Sequence, residues 1–291
     1  IGATGAELVR GDALDLGSLS EAMRGCSTVF HVAGVNAMCL RDPGEMLRTN
    51  VEGSANAVRA AAAAGVVRVV YTSSSAAIGE ASGSVGREDS PHRGSYLSAY
   101  ERSKHLAERR VFELSRSLGV DVVAVNPSSV QGPGRATGSA RLLLEVVNGR
   151  LPVLVRTTIS LVDIADCSAG HVLAETRGTP GERYLLSGAT ITTPEAVDLL
   201  DRIWGLRRRV RFAPGGIGTA AAELAQLRVH VQPEQHRLHV IVLGTLPAHP
   251  GQRPARRHDR LRRGVFQGAP AASRPLAVER RGRHGQLGAG E

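Results

Sequence analysis

The chain is nearly without lysine. Of its 36 basic side chains a single one, Lys104, is lysine and the rest are arginine. Wherever a generic positive charge would serve, this sequence uses arginine, so a position that keeps lysine calls for a compact ammonium rather than a planar guanidinium. Cysteine is scarce as well. Cys26, Cys39 and Cys167 are odd in number, far apart and outside any metal-ligand spacing. That argues against a disulfide framework or a cysteine-based metal site, and for reduced thiols in a cytoplasmic protein. Aromatic residues make up 3% of the chain, too few for the series of stacking rings that single-stranded nucleic acid demands. No stretch approaches 18 unbroken apolar residues and no charged-then-apolar leader opens the chain, so neither a membrane span nor a secretory signal is expected.

The charge that is present is unevenly placed. Residues 228–291 carry twelve arginines against four acids, net +8 of the total +9, together with six of the ten histidines. The remaining 227 residues are close to neutral. The tail shows neither a 2.0 nor a 3.6 period and contains one aromatic residue, Phe266. Nucleic acid is therefore not the expected partner. Runs such as ARRHDRLRRG (255–264) resemble an arginine-rich gene translated out of frame. The expectation is a basic, disordered or out-of-frame segment over 228–291.

The whole chain is 42% hydrophobic, and the residues before the tail are patterned for a buried core. Short β-branched runs at 28–32 (TVFHV), 66–71 (VVRVVY) and 120–125 (VDVVAV) alternate with helical stretches at 18–24, 44–64 and 97–118. Residues 6–10 (AELVR) read as a further strand. This alternation predicts a parallel sheet with helices on its faces. Farther on, 140–148 reads as helix, 153–155 as strand, and 163–176 as helix with Asp163 as N-cap. Residues 183–186 and 210–212 read as strands, and 194–204 as a helix capped by Thr193 with Pro194 at its first position.

The strongest local signal for chemistry is Tyr100-Glu101-Arg102-Ser103-Lys104. On a helix, positions i and i+4 share a face, so phenol and ammonium can enter one site. An ammonium about 4 Å away is worth on the order of 4 kcal/mol at an effective dielectric of 20 and would bring the phenol about 3 pH units below its ordinary value near 10. Tyr100 would then exchange a proton in a hydroxyl–carbonyl interconversion. An ordinary solvated pair is the plainer alternative. On either reading Lys104→Arg, at a helix position compatible with exposure, is expected to change stability by less than about 1 kcal/mol. Upstream, the 66–71 strand delivers Thr72, Ser73, Ser74 and Ser75 to its carboxyl end, where ligands bind in open parallel sheets.

Six ordered segments carry a family resemblance: TVFHVAG (28–34), RTNVEGSANAVRAAAAAGVVRVVYTSSSAAIG (48–79), YERSK (100–104), VNPSSVQGPG (125–134), SLVDIADCSAGHVLA (160–174) and GERYLLSG (181–188). Over residues 5–212 the chain resembles the extended short-chain dehydrogenase/reductase family. It is most similar to its NAD-dependent epimerase/dehydratase branch, including dihydroflavonol-reductase-like and hopanoid-associated sugar-epimerase-like members. The resemblance implies a catalytic triad of Ser74, Tyr100 and Lys104, with Ser74 preferred because it lies five residues before Gly79. It implies NAD or NADP as cofactor, held by Asp12, Ala13, Ala33, Gly34, Asn50, Tyr100, Lys104, Pro127 and Ser129. Asn126 stands where relatives often carry arginine, and Asp163 and Asp166 match a hinge motif of the family.

The fold implied is α/β, a Rossmann-type doubly wound parallel sheet lacking its first β-α-β-α segment, with a small mixed α/β substrate region. The expected division is a partial dinucleotide-binding domain over 1–134, to which the strand and helix at 153–176 return, and a substrate region over 135–227. Gly2-Ala3-Thr4-Gly5 has no strand before it and no helix after it. It therefore reads as the loop ahead of a third strand rather than the phosphate-gripping turn. The selector between NAD and NADP would be lost with that segment, and an apolar sheet edge exposed. The function implied is hydride transfer at a hydroxyl or carbonyl carbon of a sugar nucleotide, a flavonol-like compound or another small alcohol or ketone. The alternative is an inactive cofactor-binding or scaffold protein on the same fold. A homodimer through the helices around 44–64 and 97–118 is the expected assembly; no metal and no membrane are expected as partners.

Overall fold

Two valine-rich segments make the centre of the fold. In a computed structural model, which describes residues 8–36, 42–134, 139–205 and 209–215, they form β2 (Arg68–Thr72) and β3 (Asp121–Pro127), paired in parallel with Val69 opposite Val122 and Tyr71 opposite Ala124. β1 (Thr28–His31) joins β2 and β7 (Arg183–Leu186) joins β3, giving a four-stranded parallel sheet in the order β1-β2-β3-β7.

Side chains alternate across this sheet, and both faces are covered. Val69, Tyr71, Val122 and Ala124 face a core with α1 (Leu16–Ala22), α2 (Gly44–Ala63) and α3 (Ala99–Leu118). Val70, Val123 and Val125 face Ala174 of α5 (Ile164–Arg177), with Phe30, Tyr184 and Leu186 alongside. Alanine on α2 sets the first spacing: Ala55, Ala57, Ala60 and Ala61 are fully buried. Such small side chains allow the close approach of α2 to α3.

The helix ends follow the sequence. Ser98 caps α3 through its hydroxyl on Glu101 N, and Gly119 closes it in the left-handed conformation (φ +70°). Asp163 caps α5, as expected, by accepting from Ala165 N at 2.7 Å. The expected cap of the last described helix moves by one residue. α6 runs over Thr193–Trp204 with Thr192 as its cap. The Thr192 hydroxyl accepts from Glu195 N, and the Glu195 carboxylate accepts from Thr192 N at 2.7 Å, so the capping box closes one position earlier.

Three short strands were not legible as such. β4 (Ser129–Gln131), β6 (Thr158–Asp163) and β8 (Ala189–Thr192) form a second sheet, β4 parallel and β8 antiparallel to β6. They are short and half-exposed, with little periodicity to read. β5 (Val153–Val155) was expected to return to the first sheet. It pairs instead with β9 (Arg211–Ala213), while α5 does pack on β2 and β3. α4 (Ser139–Val147) lies between the two regions in sequence. Of the strand expected at 6–10, Ala6 and Glu7 lie outside the described residues. Leu8 to Arg10 form no ladder, and Leu8 is exposed. An extended segment is a strand only when its backbone groups are paired. The tail over 228–291, Cys39 and the stretch 1–5 expected to be a loop also lie outside the described residues.

α5 meets the sheet through a glycine. The Gly178 N–H donates to Ala174 O at 3.0 Å, and a Cβ placed on Gly178 would run into that same oxygen and come within 2.7 Å of Val123. Gly178→Ala is therefore expected to destabilise the fold by about 2 kcal/mol, as overpacking does. A urea denaturation midpoint unchanged from the parent would show that this contact yields freely.

Candidate active site

β2 ends in polar residues with distinct duties. Thr72 O accepts from Lys104 Nζ at 3.1 Å, and Thr72 Oγ1 lies 2.9 Å from His171 Nε2 on α5. His171 Nδ1 is 2.7 Å from Cys167 O, so Nδ1 carries the proton and Nε2 accepts from the threonine hydroxyl. Ser73 is buried, and its N–H donates to Val125 O at 2.8 Å. Ser74 caps a single 3-10 turn over Ser75–Ala77. Its hydroxyl lies close enough to the Tyr100 phenol to pull that phenol's pKa down. Of the three serines, then, the one brought to the phenol is Ser74.

Tyr100 lies in the first turn of α3, the best-secured turn of the helix. The Glu101 carboxylate accepts from Leu97 N at 2.9 Å and pairs with Arg93, which also donates to Glu80 O. Burial pushes the Tyr100 phenol above its ordinary value, and the Ser74 hydroxyl pulls it partly back. The expected lowering by Lys104 is not what the structure shows. The ammonium is engaged by Thr72 O and lies 5.8 Å from the Tyr71 ring centroid, so desolvation decides the direction at Tyr100.

Lys104 itself is 6% exposed, which overturns the reading of its position as compatible with exposure. Burial pushes the amine down to about 8, with the Glu108 carboxylate one turn along α3 acting against it. Asn50 of α2 locks the surrounding frame. Its Oδ1 accepts from Val35 N at 2.7 Å, while Nδ2 donates to Val35 O at 3.0 Å and to Ser103 Oγ at 2.9 Å. Ser103 Oγ donates in turn to Tyr100 O.

The other expected contacts scatter around this centre. Ala33 and Gly34 follow β1; Pro127 ends β3 and Ser129 opens β4. Asp12 is exposed and accepts from Leu14 N at 2.9 Å in its own loop. Ala13 is buried against Gly53 of α2. Asp163 caps α5, and Asp166 is exposed in its first turn. Asn126 is fully buried and donates to Ser74 O and Glu108 Oε2. His31, Tyr71, Glu108 and His171 belong to the site and were not singled out. The sole signal for Glu108 was its i+4 spacing from Lys104; for the histidines, nothing in the local pattern separated them from core.

The geometry fits the ribose end of a nicotinamide dinucleotide. A Cβ on Gly34 would meet Asn50 Oδ1 at 3.2 Å and Lys104 Nζ at 3.3 Å, so glycine keeps open the space beside the ammonium. Lys104 has three N–H donors, of which Thr72 takes one.

The sequence profile of NAD-dependent epimerases and dehydratases matches residues 2–186. The chain belongs to the NAD-dependent epimerase/dehydratase family. Among members of this family it is 36% identical over 68% of its length to a Synechocystis protein named for dihydroflavonol 4-reductase, covering 60% of that protein. It is 31% identical to cinnamoyl-CoA reductase 1 of Petunia hybrida, over 68% of this chain and 62% of that one. Thus it spans about 60% of the length of the curated relatives it matches. Among solved structures, gox2253 superposes with a TM-score of 0.70 at 33% identity, covering 76% of this chain and 68% of that one. MoeE5, in complex with UDP-glucose and NAD, gives 0.62 at 27%, covering 72% and 73%. The α/β fold with its parallel Rossmann-like sheet, expected from the sequence, is that of the family.

His31 gives the site a pH signature. It is buried with Nε2 3.1 Å from Ser54 Oγ and its ring stacked on Tyr71 at 5.9 Å between centroids. Burial, then the Lys104 charge, pushes it down from 6.5 to about 4. The unfolded chain takes up the proton first as pH falls. The stability tied to neutral His31 is therefore complete above about 6.5 and is lost as pH drops toward 4, on the order of 3 kcal/mol. Urea midpoints at pH 7 and 4.5 should fall less in His31→Gln than in the parent. Equal losses in both proteins would assign the acid sensitivity to other groups.

Proposed function

We propose that the protein is an NAD(P)-dependent oxidoreductase acting at a hydroxyl or carbonyl carbon of a small substrate, with Tyr100 as the acid/base group. The observation that carries this reading is the placement of Tyr100 one turn of α3 before a buried lysine whose ammonium donates to Thr72 O at the carboxyl end of β2, with the Ser74 hydroxyl acting on the phenol. A nicotinamide dinucleotide supplies the hydride donor or acceptor when bound. The chain's own residues handle the proton and the positions.

Reduction of a carbonyl needs a proton delivered to its oxygen. Because burial holds the Tyr100 phenol above its ordinary value, the protonated form dominates at pH 7 and can give that proton. The Ser74 hydroxyl shares the oxygen with Tyr100 and fixes its place. Lys104 and Gly34 shape the space for the ribose hydroxyls, Ala33 lies beside them, and Pro127 and Ser129 border the nicotinamide side. Asp12 and Ala13 stand on the adenine side. Asn50 acts from behind, holding the β1 loop to α3. The reduction direction agrees with relatives named for dihydroflavonol and cinnamoyl-CoA reductases. MoeE5, with its bound UDP-glucose, keeps sugar nucleotides in the test panel.

Tyr100→Phe is expected to lower turnover of a ketone substrate by about 10²–10⁴-fold while cofactor affinity stays within a few-fold. Retention of more than a tenth of parental turnover would exclude Tyr100 as the acid. Lys104→Arg is expected to lower turnover at least tenfold and, since Lys104 is buried, also to lower stability by about 1–3 kcal/mol. Steady-state kinetics with NADH and NADPH, alongside thermal melts, measures both.

A further inference from the structure

A single buried carboxylate joins parts of this site that no role above accounts for. Glu108 lies on α3, 5% exposed, one turn beyond Lys104. Its Oε2 accepts from Asn126 Nδ2 of β3 at 2.7 Å, and its Oε1 accepts from Arg183 Nη1 of β7 at 2.9 Å. Asn126 Nδ2 has two hydrogens, and the second goes to Ser74 O at 2.9 Å. Arg183 is itself held, with Nε donating to Glu88 O at 2.8 Å, while Glu88 Oε1 accepts from Leu185 N at 3.0 Å.

We propose that Glu108 is the positioning residue of the acid/base site, a single anion that fixes Ser74 through Asn126 on one side and balances the Lys104 ammonium against the Arg183 guanidinium on the other. The argument is one of charge and satisfaction. A buried carboxylate is costly unless charged or strong donors fill its oxygens, and here one oxygen receives an amide and the other a guanidinium. Arg183 pairs with this anion directly, and the Lys104 ammonium, one turn away on α3, is the second cation on which it acts. Lysine tolerates burial less well than water by several kcal/mol if left alone. Among the described residues, the other groups around the ammonium give no second anion: His31 of β1 is held neutral, Tyr71 of β2 presents its ring, and Tyr100 of α3 is a protonated phenol. Asn126, where arginine is common in relatives, then has a role. An arginine at that place would bring a further cation to a carboxylate already committed to Arg183.

This inference rests on the acid/base reading for its functional meaning, yet its test needs no turnover. Lys104 is the one lysine in the chain. The full chain labelled with [13Cε]-lysine therefore gives one side-chain signal, whose titration reports this amine directly. The parent is expected to titrate near 8. Glu108→Gln keeps the size and removes the charge, and is expected to move the midpoint down by about half a unit to one unit. General loosening of the site would do the opposite, carrying the lysine up toward its value in water near 10.4. An unmoved or raised midpoint in Glu108→Gln overturns the proposal. Arg183→Gln supplies the second arm if that variant does not fold. Removing the guanidinium should raise the midpoint with amide-exchange protection of α3 unchanged; an unmoved midpoint, or a rise accompanied by lost protection, overturns it. A parent without turnover on any ketone would count against the function proposed above and leave this titration fully decisive for Glu108.

Discussion

The burial of one ammonium is the constraint on which the site is organised. Removing Lys104 from water is expensive, and the fold meets that expense with a carbonyl, an aromatic face and one carboxylate a helical turn away. They come from two elements: Tyr71 and Thr72 from the end of β2, Glu108 from α3. The sheet must hold its register and α3 its angle for the three to meet. Both follow from the valine packing of β2 and β3 beneath α2 and α3. Core and chemistry are thus the same structure seen at two depths.

The division of labour between the two faces of the sheet is equally physical. On one side, small alanines let α2 approach α3, and Asn50 stitches both to the loop after β1. On the other, α5 leaves the second sheet at Asp163 and reaches β2 with His171 on the Thr72 hydroxyl. Thr72 is thereby held from both faces, through its side chain by α5 and through its carbonyl by Lys104. This explains why a residue with no part in proton transfer occupies the centre of the arrangement.

Much of this was legible in the sequence, for identifiable reasons. Buried parallel strands are rich in β-branched residues, so β2 and β3 declared themselves, and the single lysine at i+4 from Tyr100 singled out that stretch of α3. The family resemblance chose Ser74, whose hydroxyl is the one that pulls on the Tyr100 phenol. What the sequence hid was whatever depends on long-range pairing. β4, β6 and β8 are three to six residues long and half-exposed, too short for a period to emerge. The direction of the Tyr100 shift was misjudged because spacing along a helix gives proximity but not desolvation. The role of Asn126 was obscure because its partners, Ser74 and Glu108, lie 52 and 18 residues away.

The same lone lysine has a consequence for handling the protein. Apart from the α-amino group, Lys104 is the single primary amine of the chain, and it is covered by α3 and the end of β2. Reagents that acylate amines find no readily accessible lysine side chain, so immobilisation and cross-linking through lysine have nothing to grip. When α3 lifts from the sheet, that amine is uncovered. Acylation of this one residue becomes a clock for the opening of the helix.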